Sequence, residues 1–269
     1  MKPKKKILLA LLLVMITAGS MGCGTEEKEA VPNGLLTLET VVGTLEKEGL
    51  GLEKDDSRST DAFALNGIKP TVFKIKNTED TLLIYIGAPA VDEEATHRNL
   101  YSLERVPFAA RNALVVYMPS EIPKNEESVK AFAETRDLIS NTIFKYLNGG
   151  KEVPYKGESA HWEVTGILKY FNDNWEDENG KSHYDGYHTE HFELQYKMSD
   201  IKEVGPVSFE YERKGSSGTS TGLTLNDKGY ASTGSSGGSG WLLFEPEEEI
   251  YHVTIKWDGK EEKIDLKAK

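Results

Sequence analysis

Three histidines fall within nine residues, His183, His188 and His191, with Asp185 among them and Asp177 just upstream. Imidazole nitrogens and carboxylate oxygens are good zinc ligands, and half of the chain's six histidines are gathered here. One reading is therefore a divalent-metal binder using the Asp173–His191 region. Strand geometry works against it. If a strand begins near Tyr187, period two sends His188 and Glu190 to the face of Phe192 and His191 to the other, so a shared ion needs a bulge.

Two further strings have a chemical reading. Asn172 to Gly180 is rich in oxygen ligands, as calcium loops are, but aligning Gly180 with the loop glycine puts Trp175 and Gly186 where two ligands belong. A solvated hairpin loop accounts for it. Gly218-Thr219-Ser220-Thr221-Gly222 and Gly234-Ser235-Ser236-Gly237-Gly238 both fit G-x-S-x-G, and Ser220, Asp227 and His252 follow the hydrolase order. That motif works where a buried strand turns sharply into a helix, and neither match is followed by a helical pattern. Long loops or irregular edge strands explain the Gly/Ser tract. His97, with no partner four residues on, reads as a solvated helix-face residue. No catalytic residue and no cofactor follow, and a non-enzymatic chain is expected.

The elements that must carry these residues start with a leader. Lys2, Lys4, Lys5 and Lys6 precede an apolar run from Ile7 to Ile16, and small residues lead to Cys23. This is the build of a secretory signal over residues 1–22, too short to span a bilayer, which takes about 20 apolar residues. The leader holds four of the 32 basic residues and none of the 44 acidic ones, which leaves 28 against 44, a formal charge of −16. Such a surface repels phosphates, so nucleic acid is not an expected partner. Cys23 is the single cysteine, which excludes disulfides and Cys-type structural zinc sites in the rest of the chain.

Residues 23–36 read as a polar, disordered tether. Residues 37–150 read as a small α+β domain, a helix-covered sheet of about three strands. Thr37 caps a helix with Leu38, Val41, Val42 and Leu45 on one face. Thr71–Lys76 and Leu82–Ile86 form a hairpin, Asp92 opens a helix to about Arg105, and Ala113–Met118 is a strand buried on both faces. Strand, helix and strand suggest a parallel βαβ crossover. A last helix runs from Asn125 to Asn148-Gly149-Gly150. Residues 151–269 change texture. After a Pro- and Gly-bearing boundary segment, alternating runs at Trp162–Tyr170, Phe192–Met198, Val207–Tyr211, Trp241–Phe244, Tyr251–Trp257 and Lys263–Leu266 predict an all-β, immunoglobulin-like sandwich.

Ser20-Met21-Gly22-Cys23 resembles the lipobox of bacterial lipoproteins. With Leu35-Leu36-Thr37-Leu38-Glu39 and Ser159-Ala160-His161-Trp162, the chain is similar to cell-surface lipoproteins of Bacillus-type bacteria. The resemblance implies that Cys23 is lipidated (palmitate-type acylation) and becomes the mature N-terminus. It further implies that the protein sits on the outer, extracytoplasmic face of the cell membrane, held through its N-terminal lipid. The expected function is a membrane-anchored binding or interaction module of the cell envelope, with an envelope protein or the cell wall as partner. Metal binding and cell-wall carbohydrate binding are the alternatives, the latter resting on Trp162, Trp175, Trp241 and Trp257, of which Trp162 and Trp257 better suit a core.

Overall fold

The computed structural model of the chain describes residues 34–87 and 104–269. The leader, Cys23 and most of the helix expected after Asp92 lie outside the described residues. Among those described, no helix is long and apolar enough to cross a membrane.

The N-terminal unit begins with α1 (Leu38–Lys47), whose first turn is capped by the Thr37 hydroxyl accepting from the Thr40 amide. Five strands follow: β1 (Leu52–Lys54), β2 (Thr71–Ile75), β3 (Thr81–Ile86), β4 (Val106–Ala110) and β5 (Ala113–Met118). Their order is β1-β2-β3-β5-β4 and every neighbouring pair is antiparallel. Helix α2 (Glu126–Thr142) starts at an Asn125/Ser128 capping box and continues into a π-helical turn, Ile143–Leu147. Leu82, Ile84, Val115 and Tyr117 meet the two helices on one face, while Leu83, Tyr85, Leu114 and Val116 meet Leu65 and Phe63 on the other. Both-sided burial explains the continuous apolar runs of β3 and β5.

The parallel crossover expected between these two strands is not found: Leu83 pairs with Val116 in an antiparallel ladder. The reason is β4, which returns into β5 through a two-residue turn at Arg111-Asn112 and so reverses its direction. Arg111 takes the left-handed conformation there, φ +48°. No glycine marks the turn, so its usual signal is missing.

The C-terminal unit contains β6 (Lys151–Glu158), β7 (Trp162–Glu176), β8 (Ser182–Tyr196), β9 (Val207–Arg213), β10 (Ser216–Leu223), β11 (Tyr230–Ser232), β12 (Ser236–Ser239), β13 (Ile250–Trp257) and β14 (Lys260–Ala268). The expected fold class, a helix-covered sheet followed by an immunoglobulin-like sandwich, is overturned here. All nine strands belong to one antiparallel sheet, β10-β9-β13-β14-β6-β7-β8-β11 with β12 also on β8, curled almost into a barrel around one core. Alternation is the same for a sandwich and a barrel. What separates them is the continuity of backbone pairing, and a short ladder from the chain's end supplies it: Lys267 and Ala268 pair with Lys156 and Tyr155, joining β14 to β6. The boundary segment is thus itself a strand. Gly157 permits the junction, since a Cβ there would lie 2.5 Å from the Asp265 carbonyl oxygen. Trp241–Phe244, expected as a strand, is a loop whose Leu242 is buried against the core.

Inside the barrel, Glu190 on β8 forms an ion pair with Arg213 on β9, each side chain 3% exposed. The Tyr211 and Tyr251 hydroxyls also donate to the Glu190 carboxylate. Burial and then Glu190, through its hydrogen bond to Tyr211 and its charge beside Tyr251, push both phenols up, so they remain donors. Tyr211 further bonds Ser236 of β12 at 3.2 Å. Four strands separate β8 from β9 along the sheet, so these bonds cross the interior and tie the two ends of the sheet together. Removing one partner leaves a buried charge unpaired, which costs about 3–5 kcal/mol, whereas replacing both by apolar groups costs far less. Urea titration should therefore show Arg213→Leu more damaging than the Glu190→Leu/Arg213→Met pair; equal losses would show that the ion pair does not carry the closure.

Candidate binding cleft

The two sheets meet at the Arg111-Asn112 turn. Arg111 donates from Nε to Asp173 Oδ2 at 2.6 Å and from Nη2 to Asp173 Oδ1 at 3.0 Å, a bidentate pair with side chains only 6% and 10% exposed. Its Nη1 reaches the Gly34 carbonyl at 2.8 Å. Asn112 brackets Leu36, accepting from its amide at 2.7 Å and donating to its carbonyl at 3.0 Å. The last residues of the expected tether are therefore docked, and Leu36 is buried. Asn148 adds a bond to the Ala109 carbonyl, and the Phe144 ring lies 6.2 Å from that of Phe171.

Along this seam opens a cleft of about 850 Å³. Its floor is the outer face of the β7–β8 hairpin, and the chain shows how that face becomes buried. From Trp162 to Tyr170 the even positions point into the barrel, but from Phe171 the odd positions are the shielded ones, with no break in register: Tyr170 pairs with His188 and Phe171 with Tyr187. A change of apolar parity inside an unbroken strand means that the other face is now covered. That change of parity between Tyr170 and Phe171 was the available signal for the cleft, and sequence reasoning passed over it.

Three cross-strand pairs build the floor, with Asp173 buried beneath it. Phe171 stacks on Tyr187 with centroids 6.2 Å apart, and Trp175 stacks on His183 at 4.4 Å. Between them Asp173 faces Asp185. Two carboxylates side by side repel unless each has its own donor. Arg111 serves Asp173, and the Trp175 indole N–H donates to Asp185 at 2.6 Å. Trp241 stands at the rim, its indole N–H on the Asp185 carbonyl at 2.9 Å and its ring edge-on to Tyr184. Gly186 makes room for this, since a Cβ there would sit 2.6 Å from the Trp241 ring. Lys169, also in the cleft, is paired with Glu152 at 2.7 Å.

Of the expected metal ligands the structure brings together only His183 and Asp177, and the others face elsewhere. His183 bonds Asp177, whose carboxyl is held below its ordinary value first by that bond and then by the Lys181 amide. The same carboxylate takes the Asn179 and Lys181 amides, which makes Asn172–Gly180 the end of a hairpin. Asp185 is occupied by Trp175, His191 bonds Ser232 outside, and His188 lies on the inner face of β8, its Nδ1 buried without a partner. Among the described residues no three His, Cys, Asp or Glu side chains are placed to hold one ion. Of the tryptophans, Trp162 and Trp257 are in the core, whereas Trp175 and Trp241 line the cleft.

The serine motifs fall on strands. Ser220 sits on edge strand β10 opposite Phe209, Ser236 lies on β12 against Tyr211, and His252 bonds Asp265 rather than Asp227. Sequence reasoning also missed a cluster at Ser159, His161 and Glu262. Glu262 accepts from the Ser159 hydroxyl and bonds His161 Nδ1, both at 2.5 Å, while His161 leans on the rings of Tyr196 and Trp257. Serine and histidine both spend their bonds on the carboxylate, so the imidazole does not activate the serine.

Two outcomes follow from these contacts. Arg111→Ala should cost about 3–5 kcal/mol by leaving Asp173 buried and uncompensated, and Arg111→Lys should recover only part, since an ammonium cannot form the bidentate fork. Equal urea midpoints for wild type and Arg111→Ala would refute this. Burial raises the Glu262 carboxyl, but the bonds from Ser159 and His161 outweigh it and hold the group below its ordinary 4.5. A depressed carboxylate stabilises the fold above the unfolded value and loses that contribution as pH falls through the folded one. Stability should decline below about pH 4.5, and Glu262→Gln should flatten that part of the curve.

Comparison of the chain with protein-family models, curated proteins and solved structures finds no match, so its function has to be read from the cleft itself.

Proposed function

We propose that the protein is a non-enzymatic binding module of the cell envelope. It is exported by its leader, held on the outer face of the membrane by a lipidated Cys23, and takes its ligand in the cleft between the two sheets. The observation that carries the binding reading is the covered outer face of the β7–β8 hairpin. A concave site of about 850 Å³ has a floor of stacked rings, and its Arg111, Lys169, His183 and Asp185 side chains already have partners. Ligand sites are typically concave and apolar with a few placed polar groups, and this one fits that description. The scattered serine, histidine and acid motifs support the absence of catalysis in this reading.

The test uses the full chain in detergent micelles. Envelope fragments from the producing cell should slow hydrogen exchange in segment 183–189, and Cys23→Ser should release the protein or leave its precursor uncut. Binding of envelope material with no protection at 183–189 would overturn the cleft reading. Hydrolase turnover abolished by Ser220→Ala or Ser236→Ala would overturn the non-enzymatic one.

A further inference from the structure

We infer that the cleft binds a neutral glycan strand, its sugar rings lying on the Phe171–Tyr187 platform and extending toward Trp241 at the rim. This rests on the cleft reading above and adds the chemical class of the ligand.

Three observations point the same way. The first is shape: the Phe171 and Tyr187 rings are inclined by only 27° with centroids 6.2 Å apart, both line the cleft and Tyr187 is 39% exposed, so the pair offers contiguous apolar ring surface there. A pyranose has a face of C–H groups and an edge of hydroxyls, and it is the C–H face that a ring of this kind accepts. The second is charge. Arg111 is spent on Asp173, Lys169 on Glu152 and His183 on Asp177, and the whole chain carries −12. A site with its cations already paired on an acidic protein offers little to a phosphate-bearing or carboxylate-rich polymer. The third is hydrogen bonding. A proline-rich peptide would also find aromatic rings here, but its backbone presents carbonyls that need donors. Both cleft indole N–H groups are used up on Asp185, one on its carboxylate and one on its carbonyl. The remaining polar groups include the hydroxyls of Thr189 and Ser239, which donate and accept alike and so match sugar hydroxyls.

The chain carries its own reporter. Of four tryptophans, Trp162, Trp175 and Trp257 are 0%, 4% and 3% exposed, while Trp241 is 39% exposed. Cellotetraose and chitotetraose titrated into the full chain in detergent micelles should shift tryptophan emission saturably, and Trp241→Phe should remove the shift. Tyr187→Ala and Phe171→Ala should each weaken binding about 3- to 10-fold, the size expected for one lost ring contact. His252→Ala, on β13 and outside the cleft lining, should leave it unchanged. Polyphosphate and polyglutamate should have no effect. A shift produced only by a proline-rich peptide, and lost in Tyr187→Ala, would overturn the glycan assignment and keep the cleft. No shift from any probe, with no exchange protection at 183–189 by envelope fragments, would overturn both.

Discussion

The most directional contact between the two sheets is made by one guanidinium, beside the Phe144–Phe171 ring contact. Arg111 projects from a tight turn of the first sheet, grips Asp173 on the second with two parallel hydrogen bonds, and holds the Gly34 carbonyl with a third. A buried guanidinium is tolerated only where its donors are used, and a bidentate fork fixes direction as well as distance. Arginine suits this position for its planar, rigid donor set. Three parts of the chain distant in sequence meet there, and the cleft is the space left beside them.

The barrel supplies the other requirement, a floor that keeps its shape. An open sheet of this length would twist and flex, but here the ends are drawn together through the interior by Glu190, Arg213, Tyr211 and Tyr251. Phe192 assists by packing on Phe209 and Tyr211, at 5.1 and 4.9 Å between ring centroids. Every oxygen of the buried carboxylate has a donor, which makes a polar cluster compatible with an otherwise aromatic core. The β7–β8 hairpin is therefore anchored on its inner face while its outer face is free to line a cleft.

The cleft also accounts for an oddity of composition. A hairpin end carrying Asp173, Asp177, Asp185 and His183 looks like a metal site in one dimension. In three dimensions Asp173 is bonded to Arg111 and Asp185 to Trp175, while Asp177 takes the turn amides and His183 together. Carboxylates gathered on one strand pair need separate donors to coexist, and among the described residues no three of these groups converge on one ion position. What is left facing the cleft is aromatic and nearly neutral.

Local order was legible in the residues. Thr37 and Asn125 marked helix starts, the apolar run Ala113–Met118 marked a strand covered twice, and the Trp162–Tyr170 alternation marked a strand covered once. These depend on neighbours along the chain, and period and capping chemistry report them directly. The direction of β5, the joining of β14 to β6 through Lys267 and Ala268, and the meeting of Arg111 with Asp173 were decided only by the tertiary structure. Each is a pairing between segments far apart in sequence. Alternation tells which side of a strand is covered, and even the shift of parity at Phe171 tells only that a cover exists. Which strand or side chain provides that cover is set by the folded surfaces that meet there.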